Sequence, residues 1–466
     1  MSAKGAALPN GSPAEAFSTP TGKFDLPFML RFGWGMGTLG PALVMSAFNI
    51  LMLRFMTDSL GIGVAIAGLL IAGSKLYDAV TDPLVGMLSD RINARASRRR
   101  PWLLFGGIGL TASFLLMFIV PTIGNTGTLI AYMTVVLLLY ATAYSAFSIP
   151  YLAMPVEMTS GHADRYSLMM WRVVAVGIAS LAASGLGLAI IDGFGGGRGG
   201  HAAMALILAP AVLLSILAAW FFTRHAKFTR RRVGERLPPI SEQARQIVTN
   251  QPFVILLGVK FLTLSILGMQ AAQPFFFNQI LNLSDAALGS YFVVQGLVLL
   301  SSQWLWVRIG ARFGKRLSLI GALVLMTIMS LTWLAAGAND PSWQIYARAV
   351  FMGLGQGGVL LMGQAMLPDT IEYDNLRTGL HREGLFSSFY TTVEKVAQAA
   401  GVASIGAFLG LMGYVEGMVS DQPDSALWAI RMSVAAFPAL MCGCATVLLI
   451  FYDLTEERLN AIRAAA

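Results

Sequence analysis

Twelve apolar runs divide the chain, at roughly 27–57, 64–90, 101–122, 128–155, 165–192, 203–223, 250–280, 286–308, 317–337, 343–370, 384–413 and 427–453. About 20 apolar residues cross a bilayer as a helix, and each run reaches that length. The runs are continuous, whereas the strands of an outer-membrane barrel alternate apolar and polar residues. Helices satisfy their own backbone in lipid, so the spans are read as helical. Composition agrees: 12% of the residues are charged, against about 25% in an average soluble domain. The expected fold class is an all-α membrane protein with twelve transmembrane helices.

Charge is spread unevenly between the runs. Arg91, Arg95, Arg98, Arg99 and Arg100 follow the second run, and Arg308, Arg312, Lys315 and Arg316 follow the eighth. The link 224–249 carries Lys227, Arg230, Arg231, Arg232 and Arg236. The alternate links hold little more than Asp58, Arg198, Asp285, Asp340, Glu416, Asp421 and Asp424. The net charge of +8 therefore reads as an orientation signal, and no nucleic-acid partner is expected. The positive-inside rule places both termini and the basic linker in the cytoplasm. Residues 1–26 are rich in Ala, Pro, Gly and Ser without the apolar stretch of a signal peptide, and read as a disordered cytoplasmic tail. Residues 454–466 form a second tail.

A short echo divides the chain in two. Arg91-Ile-Asn-Ala-Arg95 follows the second run and Arg308-Ile-Gly-Ala-Arg312 the eighth, the same place in each set of six. The halves are 27–223 and 250–453. Two six-helix halves joined by a basic linker are the layout of the major facilitator fold, with the binding site near the midplane between them. Cys442 and Cys444 read as small core residues of the last run. His162, His201, His225 and His381 all fall in or near links, which leaves a membrane-embedded metal enzyme without ligands. No nucleophile–base pair is visible within the runs, and no enzyme is expected.

The second run carries Lys75, Asp78 and Asp82 at membrane depth. These positions share one stripe of a helix, and the two acids stand one turn apart, about 6 Å along the axis. Each charge at bilayer depth costs about 2.5–3.5 kcal/mol on insertion scales, so the stripe must face a partner, an ion or a water-filled cavity. Two readings are open: a structural Lys75–Asp78 pair with Asp82 neutral, or a cation site of two carboxylates tuned by Lys75.

Asp78-Ala-Val-Thr-Asp82-Pro83, followed by Arg95 and Arg100-Pro101-Trp102, resembles the signature of the glycoside–pentoside–hexuronide:cation symporters, the melibiose permease-like family. Thr57-Asp58, Tyr144 with Ile149-Pro150, Pro368-Asp369-Thr-Ile-Glu372-Tyr373, Arg382-Glu383-Gly384 and Lys395 extend the resemblance over roughly 27–453. It implies a secondary-active symporter in which Asp78 and Asp82 bind sodium, lithium or a proton and Lys395 lies near them. It implies that Thr142 to Ser148 flanks cation and solute, that Tyr144 and Arg172 are solute-side residues, and that Thr391 lies near the cavity. The expected ligands are a small organic solute and a monovalent cation, Na+ or H+, with no other cofactor. The chain is expected to act as a monomer in the lipid bilayer of a bacterial inner (plasma) membrane.

Some positions depart from the family pattern. Ala42 and Ser148 stand where galactoside carriers have acids, and Leu152 and Leu360 where they have aromatic residues. A sugar site needs donors, acceptors and an apolar platform. The expected solute is therefore a sugar, glycoside or uronide other than a simple galactoside. The alternative is a sodium-coupled carrier of lysolipids or other amphipathic solutes, and a third reading is a transport-incompetent sensor. Glu394 is an addition to the pattern. It points about 100° away from Lys395 and reads as a substrate contact with Arg172 as one candidate partner. Arg54 and Asp58 read as an interfacial pair, and the role of Lys260 is open. Gln270, Gln273, Asn278 and Gln295 serve either the substrate or helix packing. Phe275 to Phe277 read as packing or lipid contact.

Overall fold

The computed structural model describes residues 26–96, 100–159, 162–226, 249–378, 383–417 and 422–454, with four residues of the C-terminal tail. The tail read over 1–26, apart from Leu26, and the central part of the 224–249 linker lie outside the described residues. Every regular element among the described residues is helical. In chain order these are α1 (Phe28–Ser59), α2 (Val64–Ser89), α3 (Arg100–Phe118), α4 (Thr126–Pro155), α5 (Ser167–Gly193) and α6 (Gly197–Phe222). The second half adds α7 (Gln251–Ile280), α8 (Asp285–Phe313), α9 (Lys315–Ala335), α10 (Ser342–Thr378), α11 (Glu383–Leu411) and α12 (Asp424–Ile450). Eleven are long and apolar enough to cross a membrane on their own. The other, α11, carries Glu394 and Lys395 and is held in the bundle by packing against α2 and α7.

Helix ends differ from the apolar runs. The helix of α2 continues to Ala96, so Arg91 and Arg95 belong to it rather than to a link. Likewise α10 reaches Thr378 rather than 370. Apolar length marks only the lipid-facing part, and a helix runs on wherever its own hydrogen bonds hold. On the other side α6 begins at Gly197, after a turn in which Gly195, Gly196 and Gly197 all take positive φ, a region open to glycine. That start corrects the reading of His201, which lies inside a span. Its ring packs on Phe55 at 4.6 Å between centroids, and its Nδ1 lies 2.6 Å from the Gly197 carbonyl. Cys442 is buried as expected but Cys444 is exposed, because two residues turn a helix by about 200°.

The first helix of each half ends in the same way. The last turn widens at Phe55–Ser59 in α1 and at Phe276–Ile280 in α7, and Leu60 and Leu281 donate to the carbonyls of Phe55 and Phe276. Phe275, Phe276 and Phe277 are core residues: Phe275 meets Tyr414 and Phe276 meets Trp333 edge-on.

Among the described residues, two glycine contacts bring the halves together backbone to backbone, both toward the face opposite the basic links. A Cβ on Gly68 of α2 would stand 3.0 Å from the Gly406 Cα of α11. A Cβ on Gly289 of α8 would stand 2.8 Å from the Ser184 carbonyl of α5. Small residues let helices approach this closely in lipid, where dispersion rather than the hydrophobic effect holds them.

Candidate cation and solute site

The α2 stripe meets α4 and α11 near the middle of the bundle. Lys395 of α11 donates to Asp78 Oδ2 at 2.7 Å and also to Asp82 Oδ2. Its ammonium therefore joins both acids across the two halves. On the other side of the carboxyls stands Ser145 of α4, fully buried, with its Oγ 2.5 Å from Asp78 Oδ1 and 2.7 Å from Asp82 Oδ1. One hydroxyl proton serves one acid at a time. A proton on the other carboxyl, or a cation shared by the acids and the serine oxygen, completes the set.

Lys75 does not pair with Asp78. Its ammonium donates to Asn49 Oδ1 at 2.8 Å and Gln398 Oε1 at 3.1 Å, and sits 5.4 Å from the Phe48 ring centre. The structural pair considered for Asp78 is thus absent. Glu394 does not pair with Arg172 either. Its carboxylate lies 3.0 Å from Lys260 Nζ, which also stands over the Tyr390 ring at 3.2 Å. This fills in the open role of Lys260: a buried cation of α7 held by an acid and a ring of α11.

A cavity of about 370 Å³ brings these groups together. Lys75, Asp78, Asp82, Tyr144, Ser148, Arg172, Thr391, Glu394 and Lys395, the candidates read from the sequence, all line it. So does Leu152. Thr391 returns its hydroxyl to the carbonyls of Ser387 and Ser388, and the Tyr144 hydroxyl points at Met45 Sδ, 3.4 Å away. Ala42, Leu360, Gln270, Gln273, Asn278 and Gln295 are not among the lining residues. The backbone carbonyl of Gln295 stands close to Gly353 of α10, where a Cβ would run into it.

Residues 33–456 match the family described as MFS/sugar transport protein. The chain belongs to that family. A putative glycoside/cation symporter of Escherichia coli is 28% identical to this MFS/sugar transport protein over 93% of each chain. A glucuronide carrier protein homolog of the same organism is 28% identical, covering 92% of this chain and 93% of its own. Among solved structures, a bacterial homolog of the human lysosomal transporter Spinster superposes with a TM-score of 0.66, over 94% of this chain and 98% of that one. At 13% identity that likeness shows the fold alone.

In this MFS/sugar transport protein the face opposite the basic links is tied shut by polar contacts. Arg54 of α1 lies 3.5 Å from Asp58, bonds Asp285 of α8, and donates to Asn278 of α7 at 3.1 Å. Tyr414, beyond α11, donates to Asp58 at 2.6 Å and accepts from Gln279 at 2.8 Å. Glu416 accepts from the Val64 amide at 3.1 Å. The Arg54–Asp58 pair read from the sequence is thus one edge of a network between the halves. Between described residues, the cross-half hydrogen bonds and ion pairs lie at the midplane or on this side of it. On the basic-face side of Lys395, Thr391 of α11 lines the cavity and is exposed.

Glu394→Gln leaves Lys260 buried without a counter-charge. The expected loss is about 1–3 kcal/mol of stability, the cost of orphaning a buried polar partner. The Lys260→Gln, Glu394→Gln double variant recovers part of it, with a coupling of about 1 kcal/mol or more. Thermal unfolding of the four proteins checks this, and strictly additive losses would remove the structural role of the pair.

Proposed function

We propose that the chain is a secondary-active symporter that moves a sugar, glycoside or uronide together with Na+ or H+. The observation that carries the reading is the Asp78–Lys395–Asp82 bridge, placed at the midplane between two halves. A cation that competes with Lys395 for the two acids changes what ties the halves together. A carrier needs such a link between binding and the rocking of its halves. Linkage then makes each ligand favour the other. The names of the two relatives, a glycoside/cation symporter and a glucuronide carrier homolog, support the ligand classes. No covalent bond is made or broken in this reading, so the protein acts as a carrier and not as an enzyme. The test is uptake into proteoliposomes of a panel of glycosides and uronides, with and without an inward Na+ or H+ gradient. Accumulation driven by one of the gradients is expected, and uptake indifferent to both would end the symport reading.

The basic face is cytoplasmic in this proposal, with both termini on that side of a bacterial inner membrane, as the positive-inside rule directs. With Cys442 and Cys444 replaced by serine, Arg232→Cys is expected to react with a membrane-impermeant maleimide only from the cytoplasm. Gly124→Cys reacts only from outside. The reverse pattern would invert the orientation.

A further inference from the structure

A second cavity, of about 420 Å³, lies at the basic face of the second half and shares no lining residue with the central one. Its wall is built from the end of α8, the start of α9, Met366 and Asp369 of α10, and Tyr452 and Leu454 beyond α12. Arg312, Lys315 and Arg316 stand there against one acid among the lining residues, Asp369. Lys315 answers that acid, with its Nζ 2.9 and 2.7 Å from the two carboxylate oxygens. Arg316 donates to the Leu449 and Ile450 carbonyls and so closes the end of α12. Other donors are left over. Arg312 has the Phe313 ring 5.4 Å away and makes no hydrogen bond or ion pair among the described residues. Tyr452 is 1% exposed, yet its hydroxyl finds no hydrogen-bond partner among them. Burial, and then the charges of Asp369 and Asp453, hold the proton on that hydroxyl, so it stands as a donor. At the same wall α9 begins after Gly314 without a side-chain cap. The amides of a first turn have no intrahelical acceptor, and the helix dipole adds positive charge there. An unanswered arginine, a buried unpartnered hydroxyl and an uncapped helix start form a donor set suited to a phosphate.

We infer that this cavity takes the phosphate of an anionic phospholipid of the cytoplasmic leaflet. The phosphate accepts from Arg312, Tyr452 and the first turn of α9, while Lys315 stays with Asp369. Apolar surface beside the cavity marks the occupant as a lipid rather than a soluble phosphate. Phe313 and Leu317 of the wall are 56% and 60% exposed. From Leu317, exposed Val324, Ile328 and Leu331 follow at helical spacing along one face of α9. The neighbouring α12 packs on α9 and exposes Val447 and Ile450. Acyl chains have a place along these faces, below a headgroup held in the cavity. Basic pockets between membrane helices on the cytoplasmic side suit anionic headgroups, which that leaflet supplies. The site depends on the cytoplasmic placement of the basic face and not on symport.

The test titrates the purified full chain in detergent, at constant ionic strength, with dioctanoyl-phosphatidylglycerol, dioctanoyl-phosphatidylcholine and inorganic phosphate. Native mass spectrometry reads the first molecule bound. Phosphatidylglycerol is expected to bind saturably, and at least about tenfold more tightly than either of the others. Arg312→Gln, a change at an exposed side chain, is expected to weaken it about tenfold. Tyr452→Phe removes only the hydroxyl and is expected to weaken it about fivefold. Arg308→Gln takes the same charge from α8 outside the cavity and is expected to cost no more than about twofold, because salt screens it. The wild-type comparison and Arg312→Gln decide the matter even if Tyr452→Phe unfolds. Phosphatidylcholine bound as tightly would overturn the anionic headgroup, and inorganic phosphate bound as tightly would overturn the lipid. An unchanged affinity in Arg312→Gln, or an equal loss in Arg308→Gln, would overturn the cavity as the site. Detergent exposes both faces, so none of these results turns on orientation, which the maleimide labelling tests by itself.

Discussion

Asp78→Asn and Asp82→Asn are each expected to bring cation-driven solute accumulation down to the level of protein-free liposomes. Each change keeps the side chain's size and removes one of the two negative charges gathered at Lys395 and Ser145. A hydrogen bond to a charged partner is worth about 1.5–3 kcal/mol, so the loss of one carboxylate weakens a shared cation by about ten- to a hundredfold. The ammonium of Lys395, left with a single acid, then holds that acid against the cation. The double variant goes further, because Lys395 keeps no opposing charge at all. The lost partners are only partly buried, and orphaning such a group costs about 1–3 kcal/mol, so the double variant is expected to be less thermostable than either single one. Uptake under an imposed gradient and thermal unfolding, measured on the same preparations, check both statements. Normal coupled accumulation in both single variants would remove the acids from the cation site.

Arg54→Gln is expected to release the face opposite the basic links. Arg54, Asp58 and Asp285 have side chains only 15%, 10% and 9% exposed, so the substitution leaves two acids largely buried without their cation. The cost, about 3–5 kcal/mol for a buried pair, falls only on the conformation in which the halves meet at this face. Each 1.4 kcal/mol is about tenfold in population, so the balance moves by about a hundredfold or more toward conformations open there. A cysteine at Ser148 reports on it, in a background without Cys442 and Cys444. An impermeant maleimide added from outside is expected to label it at least about tenfold faster when Arg54 is glutamine. An unchanged rate would mean that the Arg54 network does not close the cavity.

What could be read in the sequence was what lipid makes expensive. Twelve apolar lengths, a stripe of Lys75, Asp78 and Asp82, and a lysine at 395 stand out because charge and bilayer depth exclude each other. The charged candidates meet around one cavity for that reason, and Tyr144, Ser148 and Thr391, which the family resemblance supplied, line it with them. The partners were less visible. Ser145, Asn49 and Gln398 are uncharged, and no periodicity separates a serine beside two carboxyls from one packed between helices. Arg172 was the partner named for Glu394 in the chain, and only the approach of α7 to α11 makes Lys260 the partner instead. Tyr414 belongs to no apolar run, yet it joins Asp58 to Gln279. The α11 helix was read as a run at 384–413, and its contacts with α2 and α7 fix its place in the bundle. Helix ends were misjudged where Gly197 starts α6 early and where α10 outlasts its apolar part.

Equilibrium cation binding to the purified protein tests the central claim most directly. Thermal unfolding is followed against Na+ at constant ionic strength, with choline as the replacement, and separately against pH, for the wild type, Asp78→Asn and Asp82→Asn. The wild type is expected to be stabilised saturably by Na+, or else by protons, and each variant to lose that dependence while remaining folded. A dependence of the same size and midpoint in all three proteins would contradict the assignment of the cation to Asp78 and Asp82.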